Sequence, residues 1–419
     1  MTLASPIQEQ IWLAENLSDH GSAYVTAEAL LIDGLVDVDR LAKSLSLLAL
    51  RHEALRTSFA WRGRGVVQLV AEQCPISLAV DTIRPTTSVE GIRQRLCERL
   101  RKPIPLEAAP LWYCVLWAGG GKSVVMLALH HIIADGHSLD VLLHELDLAY
   151  SNQALPAPSL SYLLFSREAR AAAASNSYQS DLGWWRRQVN GMPARPSRSA
   201  SLPPATHVGG RVRKGLTEQH AAAVERWAVS NGASVFAAYL VLAMVSVGLS
   251  TGRRDLLVGV PFGNRPPGYE DTVGAFANLL PIRMRLTEPF EYTDLLHQVV
   301  EELLGAFSHQ AVSLGDIIRT NRRSIGDENS PLFQAICVPN QQTQAPRTFD
   351  GAQSQLLDLH NGGAKYEFAI TVPAVPGVDS VSVEFDEGAL TREIVTAYLN
   401  IFRSCLEAIA GISAPEVVD

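Results

Sequence analysis

Residues 123–150 read SVVMLALHHIIADGHSLDVLLHELDLAY. Ser123 to Leu129 is an unbroken apolar run, the pattern of a strand covered on both faces. It stops at His130. From Leu139 apolar residues return at three- and four-residue spacing, which predicts a helix over Leu139–Tyr150 with Ser138 as its N-cap. Between strand and helix lies a short loop holding two adjacent histidines and an Asp-Gly pair.

Outward from this stretch, Val36–Leu48 reads as an amphipathic helix, and Gly65–Ala71 and Trp112–Ala118 read as strands. From Pro156 to Ala205 the composition shifts to Ala, Ser and Pro, interrupted by a helix around Asp181–Val189, which marks an inter-lobe connection. Beyond it a helix is predicted over Glu218–Asn231, followed by a buried helix over Val235–Leu249. Strands follow at Asp255–Val260, Asn278–Leu286, Leu332–Val338 and Ser380–Glu384, before a final amphipathic helix over Thr391–Ile409. Strands and helices mix in both halves, so the fold class is α/β (α+β) with two lobes, residues 1–175 and 176–419.

Composition limits the function. The chain has 419 residues, 47% hydrophobic and 19% charged, enough for two substantial cores. A net charge of -8 removes the overall positive field that favours nucleic-acid binding, and the basic trio Arg211, Arg213 and Lys214 reads as solvated surface. Five scattered cysteines without a CxxC pair argue against a disulfide framework or a structural zinc site, and Cys114 and Cys337 sit in apolar runs as buried thiols. No secretory signal opens the chain, and the apolar run Val235–Leu249 is too short for a membrane span. The expected setting is the cytoplasm, with neither nucleic acid nor membrane as partner.

The chemistry concentrates at Leu129–Ser138. Histidine exchanges a proton near neutral pH, and a loop leaving a strand end presents it from a rigid base. Asp135 can orient a neighbour or brace the loop through a cation, and Gly136 permits a tight turn and close approach of a ligand. A buried histidine is more often structural than catalytic. Adjacent residues on extended chain point to opposite faces, so His130 and His131 do not form a chelating pair, and no metal is expected. No dinucleotide, phosphate-loop or nucleophile-elbow motif occurs, which leaves histidine-based general base catalysis.

His130, His131, Asp135 and Gly136 reproduce the HHxxxDG signature of nonribosomal peptide synthetase condensation domains, which resemble chloramphenicol acetyltransferase. Other segments match in family order. Ser5–Leu13 (SPIQEQIWL) resembles SxAQxRxWxL, Arg51–Phe59 (RHEALRTSF) matches RHExLRTxF, and Val273–Arg283 (VGAFANLLPIR) resembles VGxFVNTLPLR, preceded by GVPFGNR ending at Arg265. Pro331–Gln334 (PLFQ) and Lys365–Thr371 (KYEFAIT) complete the set, so the resemblance covers residues 5 to about 409. Tyr162–Arg167, His309–Asp316 and Asp327–Gln334 depart from the family pattern, which touches substrate and partner preference more than activity.

The resemblance implies two acetyltransferase-like lobes in a V-shaped pseudo-dimer with a central tunnel. It implies His131 as the catalytic residue and His130 as structural. Asp135 becomes an ion-pair member, with Arg265 and Arg56 as candidate partners. Gly136 is implied as an oxyanion donor, and Ser138 and Asn340 as tunnel candidates. For Trp12, Phe59 and Trp185 a core role is expected. No cofactor is bound; the phosphopantetheine arm of a partner carrier protein brings an acyl or aminoacyl thioester to an amine or alcohol acceptor, small or carrier-bound. A heterocyclisation variant lacks these histidines, and the intact RHEALRTSF and VGAFANLLPIR favour condensation over epimerisation. The chain reads as a free-standing enzyme of antibiotic-type secondary metabolism, meeting its carriers in trans. The alternatives are a carrier-docking module without activity and an acyl-CoA-dependent acyltransferase.

Overall fold

The computed structural model describes residues 2–17, 21–63, 65–84, 86–191, 208–325, 332–333, 335–341 and 347–411. The chain divides into two compact units. The first comprises Met1–Ser175, Gly263–Ala277 and Ala345–Gly363; the second comprises Asn176–Phe262, Asn278–Gln344 and Ala364–Asp419. Two segments that the sequence division places in the second lobe therefore lie in the first. Their own composition carries no sign of this, because each is held by partners far away in sequence.

The first unit is built on a six-stranded sheet, in the order Arg347–Phe349, Ala352–Leu357, Val25–Ile32, Lys122–His130, Trp112–Gly119 and Leu78–Thr82. Lys122–His130 is central and antiparallel to both neighbours, with Val25 opposite His130 and Trp112 opposite Leu129. Every residue from Ser123 to His130 is buried, which is why this strand reads as an unbroken apolar run. Two helices, Val38–Arg51 and Gly136–Tyr150, contribute Leu41, Leu45, Leu48, Leu139, Leu142 and Leu146 to the same core. A small sheet of Thr2–Leu3, Gly65–Val70 and Thr57–Arg62 stands apart from the large one. The segment 345–363 adds two strands at one sheet edge and is tied down by Asn361, whose Nδ2 donates to the Val25 carbonyl at 2.7 Å.

The second unit has its own six-stranded sheet, in the order Asn278–Arg285, Asp255–Phe262, Ala335–Asn340, Phe368–Pro373, Ser380–Asp386 and Gly209–Gly215. Val235–Thr251 is buried from Ala237 to Gly248, so its apolar character goes all the way round. Among the described residues no single helix is long and apolar enough to cross a membrane; Glu218–Ser230 and Val235–Thr251 meet that test only as a pair bent by 110°. The final helix, Arg392–Ala410, is capped by Thr391 and ends at Gly411 in the left-handed conformation. The basic trio on Gly209–Gly215 is offset by acidic neighbours, Arg213 meeting Asp379 at 3.4 Å and Arg211 meeting Glu384 at 3.8 Å.

Several elements differ from the sequence reading. The strand expected from Leu332 begins at Ala335, and Pro331, Gln334 and Asp327 lie outside the described residues. Helices at Pro6–Leu17, Val89–Leu100, Tyr292–Ser308 and Leu314–Ile325 add to those expected from the sequence. All five cysteines are free. Cys114 and Cys337 are fully buried, and burial pushes the Cys114 thiol up to about 12.

Candidate active site

The loop after His130 is held almost entirely by main-chain and buried side-chain contacts within the first unit. The His131 N–H donates to the Tyr24 carbonyl at 2.7 Å, and the Ile133 N–H donates to the His130 carbonyl at 3.0 Å. His130 is 1% exposed. Its Nδ1 accepts the Ile132 N–H at 3.1 Å, its ring stacks on Tyr24, and its Nε2 faces the Glu15 carboxylate at 3.9 Å. Accepting at Nδ1 leaves the neutral-ring proton on Nε2, toward that acid. Ile132, Ile133 and Ala134 are buried, whereas His131 is only partly so. His131 and, after Asp135, Gly136 and His137 are thus the parts of the loop that meet solvent.

Asp135, not Ser138, is the N-cap of the following helix, which begins at Gly136. Both residue types cap well, and the Asp-Gly-His triplet joins the first turn because the Asp135 carboxylate accepts the Ser138 N–H at 2.9 Å. The same carboxylate accepts Arg265 Nη2 at 2.7 Å and the Phe276 N–H at 3.2 Å, and lies 2.7 Å from the Ser138 hydroxyl. Arg265 also donates to the carbonyls of Thr272 and Tyr269, with its guanidinium 4.2 Å over the Phe276 ring. Asp135 is 5% exposed, and its carboxylate ties Arg265, the Phe276 N–H and the start of the helix together, the geometry of a brace.

The other sequence candidates separate clearly. Arg56 does not reach Asp135; it donates to the carbonyls of Ala49, Leu50, Ala71 and Glu72 and ties the short helix Glu53–Arg56 to its surroundings. Ser138 is fully buried against Asp135, Arg265 and Gly274, so it is a packing and hydrogen-bonding residue and lines no open passage. Gly136 is exposed, and its backbone does not lie in the left-handed region, so no tight turn demands glycine there. A Cβ placed on it would meet no heavy atom within 4 Å. Asn340 ends the strand Ala335–Asn340 of the second unit, where its carbonyl accepts the Ala374 N–H. Phe59 and Trp185 are fully buried, and partly buried Trp12 sits 5.7 Å from Trp61. Among the described residues no cluster of His, Cys, Asp and Glu is arranged to hold a metal ion.

Residues to which the sequence reading gave no individual role hold this frame. Ser5 and Gln8 form a reciprocal capping box: the Gln8 N–H donates to Ser5 Oγ at 3.1 Å, and the Ser5 N–H to Gln8 Oε1 at 3.0 Å. Gln8 Nε2 then reaches the Ile132 carbonyl at 3.1 Å, connecting the opening motif to the histidine loop. The S-x-x-Q spacing is visible in sequence as a helix start. Tyr162 donates to the Ala275 carbonyl at 2.7 Å and sits so close to the Gly274 α-carbon that any Cβ there would overlap its ring. That contact explains the glycine of VGAF. In the remainder of that motif, Asn278 of the second unit donates to the Val312 and Gln310 carbonyls, and Arg283 pairs with Asp255 at 2.6 Å.

The RHE segment is braced by Glu145, a buried residue of the helix Gly136–Tyr150. Its carboxylate meets His52 Nε2 and Arg51 Nε, each at 2.8 Å. Burial raises the Glu145 carboxyl, but the hydrogen bond and charge of His52, then of Arg51, outweigh it, and the net displacement is downward. A carboxyl held below its unfolded value of about 4.3 contributes stability above that pH and loses it as pH falls through the lower folded value. Melting scans between about pH 6 and pH 3 should therefore show a steeper acid loss for the native chain than for Glu145→Gln. Parallel curves would remove Glu145 from the acid transition.

A family model described as Condensation domain matches residues 1–416. Among curated proteins, surfactin synthase subunit 1 of Bacillus subtilis (strain 168) is 25% identical over 419 residues, covering 98% of this chain and 11% of the relative. A polyketide synthase-nonribosomal peptide synthetase of Pyricularia grisea is 27% identical over 388 residues, covering 88% of this chain and 9% of the relative. The chain thus spans a small part of these long relatives. Among solved structures, the first condensation domain of the calcium-dependent antibiotic synthetase matches with a TM-score of 0.82 and 22% identity, covering 100% of this chain and 98% of that one. The starter condensation domain of rhizomide synthetase, in complex with C8-CoA, matches with a TM-score of 0.85 and 18% identity, covering 100% and 97%. At these identities the structural matches establish the fold.

Proposed function

The chain belongs to the Condensation domain family, and from that premise we propose that it transfers an acyl or aminoacyl group from a carrier-bound thioester to an amine. The observation that carries the reading is the contrast within one loop. His131 stays partly exposed on a main-chain bond to Tyr24, while His130, Ile132, Ile133, Ala134 and Asp135 around it are buried. A rigid loop offering one imidazole to an incoming substrate suits proton transfer at that ring.

In the proposed reaction the acceptor nitrogen attacks the thioester carbonyl and a C–N bond forms. The proton leaves nitrogen for His131, the C–S bond breaks, and the pantetheine thiol departs with a proton returned from the ring. An alcohol acceptor would give the ester by the same steps. The Gly136 N–H, at the start of the helix Gly136–Tyr150, is the proposed donor to the carbonyl oxygen as its charge develops. Asp135 and Arg265 keep that helix start in place. We read the two compact units as the two acetyltransferase-like lobes of the family and a carrier protein, supplied in trans, as the partner.

The direct test incubates the purified chain with acyl-loaded carrier proteins and candidate amines and identifies products by mass spectrometry. The same acyl group on CoA is run beside it, because a neighbour in structure holds C8-CoA. Amide formed from the carrier and not from CoA supports the proposal; equal use of CoA makes this an acyl-CoA transferase. Carrier binding with no product from any donor makes it a docking module.

Gly136→Leu probes the approach to His131. The backbone there accepts a side chain and a Cβ enters open space, so the variant should fold with an unchanged melting temperature. The branched group then occupies the space beside His131 where a thioester must come within about 3–3.5 Å of the nucleophile. Turnover of carrier-bound donor should fall about tenfold or more. A folded variant working at the native rate would show that the donor does not pass Gly136.

A further inference from the structure

We propose that the groove between the helix Val89–Leu100 and the edge strand Leu78–Thr82 docks an extended acidic segment of a partner protein. The groove has a volume of about 390 Å³ and is lined by Val80 and Asp81 on one side and by Arg95, Glu98, Arg99 and Lys102 on the other, so cations outnumber carboxylates there by three to two. Those three cations recur at helical spacing, so they share one face. Residues 89–102 hold five basic residues against two acidic ones, in a chain whose net charge is -8. The local sign opposes the sign of the whole.

Two of the cations are held on aromatic faces. Arg95 lies 4.7 Å over Trp117 and pairs with Asp81 at 3.1 Å, while Arg99 lies 5.6 Å over Tyr113. Arg99 Nε is shielded from solvent without a hydrogen-bond acceptor, and among the described residues neither Arg99 nor Lys102 forms an ion pair. A donor withdrawn from water without an acceptor is unfavourable, and an incoming carboxylate relieves it.

The strand beside them has an open side. Leu78–Thr82 ends the six-stranded sheet and, among the described residues, pairs only with Trp112–Gly119, and Val80 is 52% exposed. An open strand edge accepts another strand through main-chain hydrogen bonds, and flanking charges select its composition. An extended peptide alternating apolar and acidic residues satisfies both features: its main chain continues the sheet and its carboxylates reach Arg99 and Lys102. Trp117 pairs with Val124, six residues before His130 on the same strand, so the groove lies roughly 20 Å from the histidine loop. Occupancy there does not compete with substrate.

The test measures fluorescence anisotropy of a labelled Val-Glu-Val-Glu-Val-Glu peptide with the full chain. Saturable binding is expected, weakening as salt rises, and weaker by about tenfold or more in the double variant Arg99→Glu, Lys102→Glu. Lys102→Glu alone, at an exposed position, should move affinity in the same direction with the fold intact. The same peptide N-methylated at alternate residues should not bind, because it cannot add to a strand. Absence of saturable binding, or equal binding by the methylated peptide or the double variant, overturns the proposal. Displacement by inorganic phosphate at matched ionic strength would make the groove a small-anion site, and dimerisation abolished by the double variant would make its occupant a second copy; either result also overturns it.

Discussion

Replacing His131 with alanine is expected to reduce amide formation from a carrier-bound donor by ~10²–10⁴-fold, the range seen when a general base is lost. The melting temperature should hardly change. His131 is partly exposed, and its N–H bond to the Tyr24 carbonyl belongs to the main chain and survives the substitution. Measuring single-turnover rates and thermal unfolding on the same preparation separates chemistry from folding. A variant with native turnover would remove His131 from the reaction. His130→Ala supplies the contrast, since it empties a buried site beside Tyr24 and removes the acceptor of the Ile132 N–H.

Asp135→Ala is expected to act through stability. It removes the cap of the helix Gly136–Tyr150 and strands the Arg265 guanidinium, whose exposure is only 11%. Breaking one side of a buried ion pair costs ~3–5 kcal/mol, because the remaining charge stays out of water. In a unit of this size that corresponds to a melting temperature lower by on the order of 10 °C. Asp135→Asn keeps an oxygen for the Ser138 N–H and should fall between the two. An alanine variant that melts like the native chain yet makes no product would give Asp135 a direct chemical role.

What the sequence discloses follows the range of the forces involved. The strand Lys122–His130 and the helix after it announce themselves because burial of consecutive or periodic residues is written locally. The polar frame is not. Arg265 and Arg56 stand as equal candidates for Asp135 in the sequence, and nothing in their neighbouring residues distinguishes the one at 2.7 Å from the one bound to carbonyls. Glu145 reads as an ordinary charge in an amphipathic helix. Its burial becomes intelligible only with His52 and Arg51, some ninety residues earlier in the chain, beside it. The helix Val89–Leu100 escapes a reading by pattern because arginines crowd its apolar positions Ile92, Leu96 and Leu100. The strand Ala352–Leu357 is short, partly polar and dependent on a partner about three hundred residues away. Ser138 yields the cap to Asp135 because the aspartate three positions earlier accepts the N–H of Ser138 itself and so starts the helix at Gly136.

Residues 263–277 leave the second unit at Phe262 and return at Asn278, two residues that face each other across adjacent strands of its sheet. The excursion carries Arg265, Gly274 and Phe276 into the first unit. For anyone recombining such proteins, this means that a half is not a stretch of gene. A fragment ending at Ser175 would lack the cation for Asp135, the main-chain groups that hold Ser138, and both strands of the segment 345–363. Exchange of a lobe between relatives has to move three segments together. Residues 263–277 thus answer to the neighbours of Asp135 as well as to the strand pair they connect.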